Sequence, residues 1–335
     1  MKVGFIHLGC SKNLIDTEIA IGIFKNNDFE ITGKESEAEI LVINTCGFIA
    51  DAKQEAIDTI FEMAEYKKTG SCKYLVVMGC LVQRYYDDLV LEIPEVDLFI
   101  KINEYDKFWD KLTSLIELDE EGTKKEDIDS RFDCENRVIS SGRVTTYLKI
   151  AEGCSNRCTY CAIPYIRGPF KSRAEEDILK EAEKLAGEGF REIILIAQDT
   201  TKYGIDIYSE KRLAKLVQKI CEIEGFEWVR VLYSYPESIT DELIEAVSDN
   251  SKICNYFDIP IQHISDRILK TMNRKSNRKE IEELIRKIRT RIPDCILRTS
   301  LIVGFPGETE EDFRELYEFI KTVKFDKVRS VYVFS

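Results

Sequence analysis

The chain has 335 residues and a formal net charge of −13, and 44% of its residues are hydrophobic. This length predicts two domains rather than one, with a hydrophobic fraction normal for globular proteins. No apolar run reaches the roughly 18 residues of a membrane span, and the acidic balance argues against broad electrostatic binding of nucleic acids. Because the N-terminus lacks a signal-peptide core, the eleven cysteines indicate a reducing cytoplasm, where thiols bind metals or fill cores.

Residues 1–116 alternate between short apolar strands and amphipathic helices. The predicted strands are residues 3–8, 40–44, 74–78 and 96–102. A helix is predicted over residues 51–67, because apolar side chains recur on one of its faces, and Gly70 marks its end. The alternation predicts a parallel sheet covered by helices on both faces, which is an N-terminal α/β domain of the flavodoxin or Rossmann type.

Three cysteines directly follow three of these strands, and we call Cys10, Cys46 and Cys80 the strand-end cysteines. The C-terminal ends of parallel strands lie along one edge of a sheet, so their loops can converge. Each strand has one cysteine at the same relative place, which favours three ligands of an iron–sulfur cluster. Three buried cysteines acting as small apolar residues are the alternative. Gly9 and Gly79 precede two of the cysteines and allow sharp backbone turns there.

Residues 117–142 have a different character. They contain nine acidic residues up to Glu135 and show little hydrophobic periodicity. This composition predicts a solvated linker between two domains. Outside the proposed ligand sets, the remaining cysteines are expected to be inert core or linker residues. They are Cys72, Cys134, Cys221, Cys254 and Cys295.

From residue 143 onward the alternation of strands and helices resumes. Six strands are predicted, at residues 147–151, 192–197, 228–233, 256–261, 296–303 and 327–334. Amphipathic helices lie between them, for example over residues 177–185 and 311–322. Six β/α units without an antiparallel signal predict a partial TIM-like barrel, (β/α)6, with its site at the C-terminal ends of the strands. The predicted domains are therefore 1–116 and 143–335, joined by the linker 117–142.

A cysteine motif follows the first predicted barrel strand. Cys154, Cys158 and Cys161, here called the triplet, can all reach one [4Fe–4S] cube and leave its fourth iron open. Zinc would need a fourth ligand, and the chain has only two histidines, neither close in sequence. A disulfide set fails on the odd number of cysteines and on the reducing context. With Tyr160 before the last cysteine, the spacing resembles the radical S-adenosylmethionine (SAM) superfamily, where the open iron chelates SAM.

Further motifs match one family of that superfamily. They are MKVGFIHLGCSKNLIDTE, INTCGFI, VMGCL, EGCSNRCTYCAIPYIRG, DIPIQHISDRILKTMNR and RTSLIVGFPGETEEDF. Together they resemble the methylthiotransferases along the whole chain. One branch modifies an aspartate of protein twelve, at the decoding centre of the small ribosomal subunit (RimO-like). The other branch modifies adenosine in tRNA (MiaB-like). Three local sequences, LGCSKNLIDTE, IAQDTTKYG and DIPIQH, resemble the ribosomal-protein branch more closely, and the tRNA branch is the alternative.

The resemblance implies a transferase with two [4Fe–4S] clusters that uses SAM in two ways. The strand-end cysteines would hold one cluster, at whose open iron a sulfur is methylated by SAM. The triplet would hold the other, which splits a second SAM to a 5′-deoxyadenosyl radical. This radical removes hydrogen from an unactivated C–H bond, where the methylthio group is installed. Acid–base residues cannot do this chemistry, so the cofactors perform it, and the identity of any catalytic side chain is unknown.

The resemblance also implies contacts with SAM at the tops of the barrel strands. Tyr160 would border the adenine, and residues 301–308 match the adenine-side motif after the fifth strand. Ribose and carboxylate contacts would fall at the ends of the second and third strands. The predicted SAM-binding residues are Tyr160, Gln198, Ser234, Ile302, Gly304 and Gly307. The glycines of the motif over residues 301–308 would let the backbone approach SAM closely, although an ordinary Pro-Gly turn is the alternative interpretation.

The implied partners are a small-subunit ribosomal protein as substrate and an electron donor of the flavodoxin or ferredoxin type. No membrane partner is expected, and direct nucleic-acid binding is not expected for this chain as it stands. Proteins of both branches normally continue into a small C-terminal β-barrel (TRAM domain). This chain ends after its sixth predicted barrel strand. We therefore expect the TRAM domain to be absent and the binding of substrate to be weak. A non-catalytic iron–sulfur or zinc protein is a further alternative, but it does not explain the motif around Gly304.

Overall fold

The structure, a computed structural model, describes residues 1–116, 132–140 and 142–332. These residues form two compact units. The first contains the described residues up to Ser140 together with Tyr165–Arg167, and the second contains the other described residues from 142 onward. Within these ranges, no helix has both the length and the apolar character needed to cross a membrane. The main division along the chain lies near the end of the predicted linker.

The first unit is built on a parallel sheet. Its strands are β1 (Lys2–His7), β2 (Glu30–Thr32), β3 (Ile40–Thr45), β4 (Tyr74–Gly79) and β5 (Leu98–Ile100). Its helices are α1 (Ser11–Asn26), α2 (Ala50–Ala64), α3 (Tyr66–Thr69), α4 (Cys80–Glu92) and α5 (Phe108–Ile116). The strands lie in the order β2-β1-β3-β4-β5, and all of these pairings are parallel. This is the flavodoxin-like order, so the predicted N-terminal fold is confirmed.

The central strands of this sheet form the core of the first unit. Every residue of β3 is buried, and β4 is buried except for its first residue. Strands covered on both faces are continuous apolar runs, which made these two easy to predict. The sequence prediction missed β2, which has only three residues, none of them buried. It also missed α1, because twelve of the sixteen residues of α1 are buried and the helix has no polar face to create a periodic pattern.

Residues 132–140 differ from the solvated linker that was expected, while residues 117–131 and 141 lie outside the described residues. A 3₁₀ turn at Cys134–Asn136 packs on α1, and the next residue, Arg137, is buried. Arg137 forms an ion pair of 2.7 Å with Glu18, and the backbone N–H of Ser140 donates to the same carboxylate at 2.8 Å. An unpaired buried charge is strongly destabilising. The segment is therefore packed because it supplies the partners that Glu18 requires.

The second unit contains the barrel strands. They are β6 (Thr145–Lys149), β9 (Glu192–Ile196), β10 (Trp228–Val231), β11 (Tyr256–Asp258), β12 (Ile296–Val303) and β13 (Lys327–Tyr332), with the short strands β7 (Ala151–Glu152) and β8 (Lys171–Ser172) between the first two. The helices after residue 143 are α6 (Ile163–Ile166), α7 (Glu175–Gly187), α8 (Leu213–Glu222), α9 (Asp241–Asp249), α10 (Asp266–Thr271), α11 (Arg278–Arg291) and α12 (Glu310–Val323).

The six main strands of the second unit follow one another in chain order. The set β6, β9 and β10 is parallel, as is the set β11, β12 and β13. A parallel bridge between Val229 and Ile253 links the two sets. The predicted partial barrel of β/α units is thus confirmed. The antiparallel pair β7–β8 was not predicted, and it joins the two ends of the segment that contains the triplet.

Candidate functional site

The strand-end cysteines lie together at the C-terminal edge of the first sheet. Cys10 immediately precedes α1, Cys46 follows the last residue of β3, and Cys80 is the first residue of α4. The buried Asn13 side chain lies between two of them, with its Oδ1 atom 3.5 Å from the Sγ of Cys80 and 4.0 Å from that of Cys10. A Cβ atom added to Gly9 would lie 3.6 Å from the Sγ of Cys46. The structure therefore brings the three loops together.

Two glycines allow this convergence. Gly9 has φ +111° and Gly79 has φ +104°, which is the region that favours glycine. A Cβ atom at Gly79 would lie 2.3 Å from Oδ1 of Asn44 and 2.6 Å from the carbonyl oxygen of Thr45. The backbone that leads into Cys80 thus presses against the end of β3, and only glycine has room there. The sharp turns predicted at both positions are confirmed.

The amide of Asn13 has a defined orientation. Its Nδ2 group donates to the carbonyl oxygen of Thr45 at 2.9 Å and to that of Leu8 at 3.4 Å. Because Nδ2 faces these carbonyl oxygens and also Oδ1 of Asn44 at 3.4 Å, the acceptor Oδ1 of Asn13 faces the cysteines. Asn13 was not predicted as a site residue, although it lies in the quoted motif LGCSKN. It acts as a spacer that joins the ends of β1 and β3 beside the thiols.

A buried arginine completes this cluster. Arg167, which belongs to the first unit, donates from Nη1 to the Oδ2 atom of Asp16 at 2.7 Å and from Nη2 to the Oδ1 atom of Asn13 at 2.5 Å. The same Nη2 lies 3.6 Å from the Sγ of Cys80. Sequence reasoning missed Arg167, because nothing in its local pattern distinguishes a buried arginine from an exposed one.

The electrostatics of the strand-end cysteines follow from burial. Burial raises the pKa of the Cys80 thiol to about 11, although the positive charge of Arg167 acts in the opposite direction. Burial also raises the pKa of Cys46, and Arg167 again opposes the shift. Metal ligation requires the deprotonated form, so binding of iron would release protons from these thiols. Arg167 is the nearby cation that would stabilise the resulting thiolates.

These residues fit an iron–sulfur cube better than a zinc ion. In the described part of the chain, no group of three or more His, Cys, Asp or Glu side chains is placed to hold a single metal ion. A cube binds each thiolate through a different iron, so its ligands stand farther apart than those of one ion. Three thiols at one edge of the sheet, beside a buried cation, are compatible with such a cube. The fourth ligand that a closed zinc site would need is not among them.

The triplet lies in the segment between β7 and β8. Cys154 and Cys158 are buried and Cys161 is half-buried. The backbone N–H of Cys154 donates to the carbonyl oxygen of Gly168 at 3.0 Å, and that of Cys161 donates to the carbonyl oxygen of Cys158 at 3.1 Å. Burial raises the pKa of Cys161 to about 11. Local hydrogen bonds hold the triplet on a short, defined loop, as its close spacing predicts.

The structure brings some of the predicted SAM-binding residues together. Tyr160 packs against a buried cluster that includes Ile302 and Phe305. Gly304 and Gly307, with φ values of +75° and +85°, follow the end of β12. These residues form a buried apolar cluster beside a tightly turned backbone. The adenine-side role predicted for this segment stays a prediction.

The other two predicted SAM-binding residues lie at the neighbouring strand ends. Gln198 follows β9, and its Nε2 group donates to Glu152 Oε1 at 3.0 Å. Its Oε1 atom is buried and has no hydrogen-bond partner among the described residues. Ser234 is buried after β10, where its backbone N–H donates to the carbonyl oxygen of Asp258 at 2.8 Å. A buried, unsatisfied acceptor on Gln198 leaves it able to bind a ligand donor.

Two further buried polar groups lie in this unit, and sequence reasoning missed the second of them. Asp199 is fully buried, accepts from Asn156 at 2.9 Å, and has a pKa raised by burial. Arg274 stacks on the ring of Tyr235 at 4.4 Å, and its Nη2 group donates to the carbonyl oxygen of Pro260 at 3.0 Å. Its Nε and Nη1 atoms are buried without a hydrogen-bond partner among the described residues. The only sequence signal for Arg274 was its place in the quoted motif DIPIQHISDRILKTMNR.

Two family models match the chain, one in each half. The Radical SAM superfamily model matches residues 148–320. The model described as uncharacterized protein family UPF0004 matches residues 2–101. The first match covers the triplet and the segment around Gly304, and the second covers the strand-end cysteines.

Among relatives, the chain is 62% identical over 328 residues to the ribosomal protein uS12 methylthiotransferase RimO of Alkaliphilus oremlandii, covering 98% of this chain and 73% of the relative. It is 50% identical to the protein of the same name from Acetivibrio thermocellus, and the match covers 98% of this chain and 74% of that relative. Among solved structures, it resembles the radical SAM methyltransferase TsrM from Kitasatospora setae, with TM-score 0.69, 13% identity and 98% and 72% of the two chains covered. It also resembles the cobalamin-dependent SAM radical enzyme OxsB, with a TM-score of 0.63 and 14% identity, over 95% of this chain and 51% of OxsB. At such low identities these structures show a shared fold alone.

Proposed function

Because the chain belongs to the RimO family of ribosomal protein uS12 methylthiotransferases, we propose that it adds a methylthio group to the β-carbon of an aspartate in that ribosomal protein. It is a radical SAM enzyme that uses SAM and [4Fe–4S] clusters. One observation supports the proposal most directly: the chain has two separate sets of three thiols, one at the C-terminal edge of the first sheet and one in the segment between β7 and β8. Methylthio transfer needs both a sulfur-donating site and a radical-generating site.

We assign one cluster to each set. The strand-end cysteines would hold the cluster of the first unit, and the triplet would hold that of the second. When bound, the clusters supply the electron for SAM cleavage and the open iron that holds the transferred sulfur. The protein supplies binding, orientation and exclusion of water. No side chain is assigned as an acid or base.

In the first unit, the protein orients ligands and balances charge. Asn13 holds the ends of β1 and β3 at one spacing, so that Cys10 and Cys46 face the same space. Gly79 lets the chain turn tightly enough to bring Cys80 to the same edge. Arg167 provides a positive charge beside the Cys80 thiolate, which would otherwise be a buried and uncompensated charge.

In the second unit, the protein encloses SAM. The surface formed by Tyr160, Ile302 and Phe305 would contact the adenine and exclude water. Gly304 and Gly307 permit the backbone to approach the ligand closely, and Gln198 and Ser234 would contact its polar groups. Exclusion of water prevents side reactions of the highly reactive species formed in such sites.

The proposal is tested by product mass. The anaerobically reconstituted chain is incubated with SAM, sulfide and dithionite, and with either uS12 or total tRNA. We expect the mass of one methylthio group on the aspartate of uS12. Product on tRNA alone would instead support the alternative branch, and cluster binding without SAM cleavage would indicate a non-catalytic iron–sulfur protein.

The remaining partners follow from the same proposal. Reduction of the clusters in the cell requires a low-potential protein, which we propose to be of the flavodoxin or ferredoxin type and to act in the cytoplasm. Replacement of dithionite by such a protein and its reductase should sustain uS12 modification. Failure of both donor types, with dithionite still active, would exclude them.

A further inference from the structure

Helix α1 has two buried acidic residues, and each is paired with a buried arginine. Glu18 pairs with Arg137, with the two side chains 0% and 2% exposed. Asp16 pairs with Arg167, with both side chains 2% exposed. Both ion pairs have N–O distances of 2.7 Å and lie within the first unit. Charge balance inside the core would explain either pair, but Arg167 also contacts the sulfur of Cys80.

The position of the Arg167 side chain is determined from two sides. Asp16 accepts from Nη1, and Asn13 Oδ1 accepts from Nη2. Because a guanidinium is planar and its donors have fixed directions, these two contacts leave it little freedom to rotate. The Nη2 group therefore remains 3.6 Å from the Sγ of Cys80. This is within the range for a nitrogen donor and a sulfur acceptor.

We propose that Arg167 is a positioning residue of the first-unit cluster, where it donates a charge-assisted N–H···S hydrogen bond to the Cys80 thiolate and raises the reduction potential of that cluster. The inference rests on the proposed function, because it takes the strand-end cysteines as cluster ligands. Hydrogen bonds to the sulfurs and local charge are among the factors that set the potential of such clusters. A reduced cluster has one more negative charge than an oxidised one, so a nearby cation stabilises the reduced form.

The test isolates the first-unit cluster in the full-length chain. In the parent protein for the test, Cys154, Cys158 and Cys161 are all changed to Ala, so that the remaining iron belongs to the strand-end cysteines. In this background we compare Arg167 with Arg167→Lys and Arg167→Gln. The midpoint potential is measured by titration with dithionite, which supplies one electron per cluster, and is followed by electron paramagnetic resonance. Iron content and melting temperature are recorded for every protein.

Arg137→Gln is the matched control. It removes an equally buried arginine from an ion pair on the same helix, and it leaves the contact between Arg167 and Cys80 in place. We expect Arg167→Gln to have a more negative potential than the parent, and Arg167→Lys to lie between them. Arg137→Gln should melt at a lower temperature but keep the parent potential. A loss of iron in both Arg167 variants, with full loading of Arg137→Gln, would also support the proposal.

Three results would overturn it. If Arg167→Gln and Arg167→Lys hold about four irons per chain at the parent potential, then Arg167 does not act on the cluster, and the proposed function stands. If the Arg137→Gln control shifts the potential or loses iron as much as the Arg167 variants do, the effect is general destabilisation. A parent protein without any cluster would reject the ligand assignment itself, and the role of Arg167 with it.

Discussion

The Nε2 atom of His263 lies 3.4 Å from the Oε1 atom of Glu308. The Nδ1 atom of the same ring accepts the backbone N–H of Ser265 at 3.0 Å, so the ring hydrogen is on Nε2 and points to the carboxylate. The second oxygen of Glu308 accepts the backbone N–H of Phe305 at 2.9 Å. A buried histidine after β11 thereby holds the turn after β12, which contains Gly304 and Gly307.

The first prediction concerns this turn. Glu308→Ala removes two hydrogen bonds, each with a net value of about 1 kcal/mol, so the turn should lose its defined shape. We expect the dissociation constant for SAM to rise roughly tenfold, which corresponds to about 1.4 kcal/mol. The measurement is equilibrium binding of SAM to cluster-loaded protein. Glu310→Ala is the control, because Glu310 is exposed and pairs with Arg314. Equal affinities in the two variants would show that the turn does not contact SAM.

The second prediction concerns pH. Burial lowers the pKa of both histidines, His263 and His7, below the ordinary value of 6.5. Between the folded and unfolded pKa values the unfolded chain binds more protons, so acid favours unfolding. The contribution of the neutral histidines to the free energy of unfolding is therefore fully present above about pH 6.5. It is lost as the pH falls through the histidine pKa of the folded state.

This dependence is measured by melting the metal-free chain between about pH 8 and pH 5.5, a range centred on the ordinary histidine pKa. The melting temperature should fall toward acid, and His263→Gln should make the fall shallower. His7→Gln should do the same, and the double variant should be the flattest, because the chain has no other histidine. An unchanged slope in the double variant would assign the pH dependence to carboxylates.

The third prediction separates the two cysteine sets. With the triplet changed to Ala, the reconstituted chain should hold about four irons instead of about eight and should not cleave SAM. With the strand-end cysteines changed to Ala, iron should fall by the same amount, SAM cleavage should remain, and methylthio transfer should stop. Iron, sulfide and 5′-deoxyadenosine are measured in each case. Continued SAM cleavage without the triplet would contradict the assignment of the radical cluster.

The fourth prediction uses two glycines with similar backbone conformations. Gly79 (φ +104°) has the side-chain oxygen of Asn44 and the backbone of Thr45 in the place of a Cβ atom, whereas Gly189 (φ +96°) has nothing within 4 Å. Gly189→Ala should cost about 1 kcal/mol of unfolding free energy for the strained φ. Gly79→Ala should lower the unfolding free energy by several kcal/mol, which is at the upper end for single substitutions. It should also halve the iron content. Denaturant unfolding and iron analysis test both. Equal costs would mean that the contact at Gly79 is relieved easily.

Much of the fold was predictable from the sequence because its strands are buried. Continuous apolar runs identified β3 and β4, and their parallel pairing followed from the helices between them. The elements that were missed are short, like the pair β7–β8, or lack a polar face, like α1. The packing of residues 132–140 was also missed, because an acidic segment has a charged composition whether or not its charges are paired.

The sites were predictable only in part. Cysteine spacing predicted both thiol sets, because cysteine is an infrequent residue type with few roles besides ligation, and cluster ligation by them stays a prediction. The partners of those thiols did not stand out. Arg167 and Asn13 meet Cys80 only after the sheet has formed, at sequence separations that no local pattern records. Buried polar residues are therefore the information that the structure adds.

The two cysteine sets also differ in when they can form during folding. Cys154 and Cys161 are seven residues apart, whereas Cys10 and Cys80 are 70 residues apart and meet only through the order β1-β3-β4. Contacts between distant residues require loop closure and form slowly. We therefore expect that the triplet can bind iron before the chain has folded. The strand-end cysteines become a site only when the first sheet is complete, so we expect their cluster to be inserted after folding.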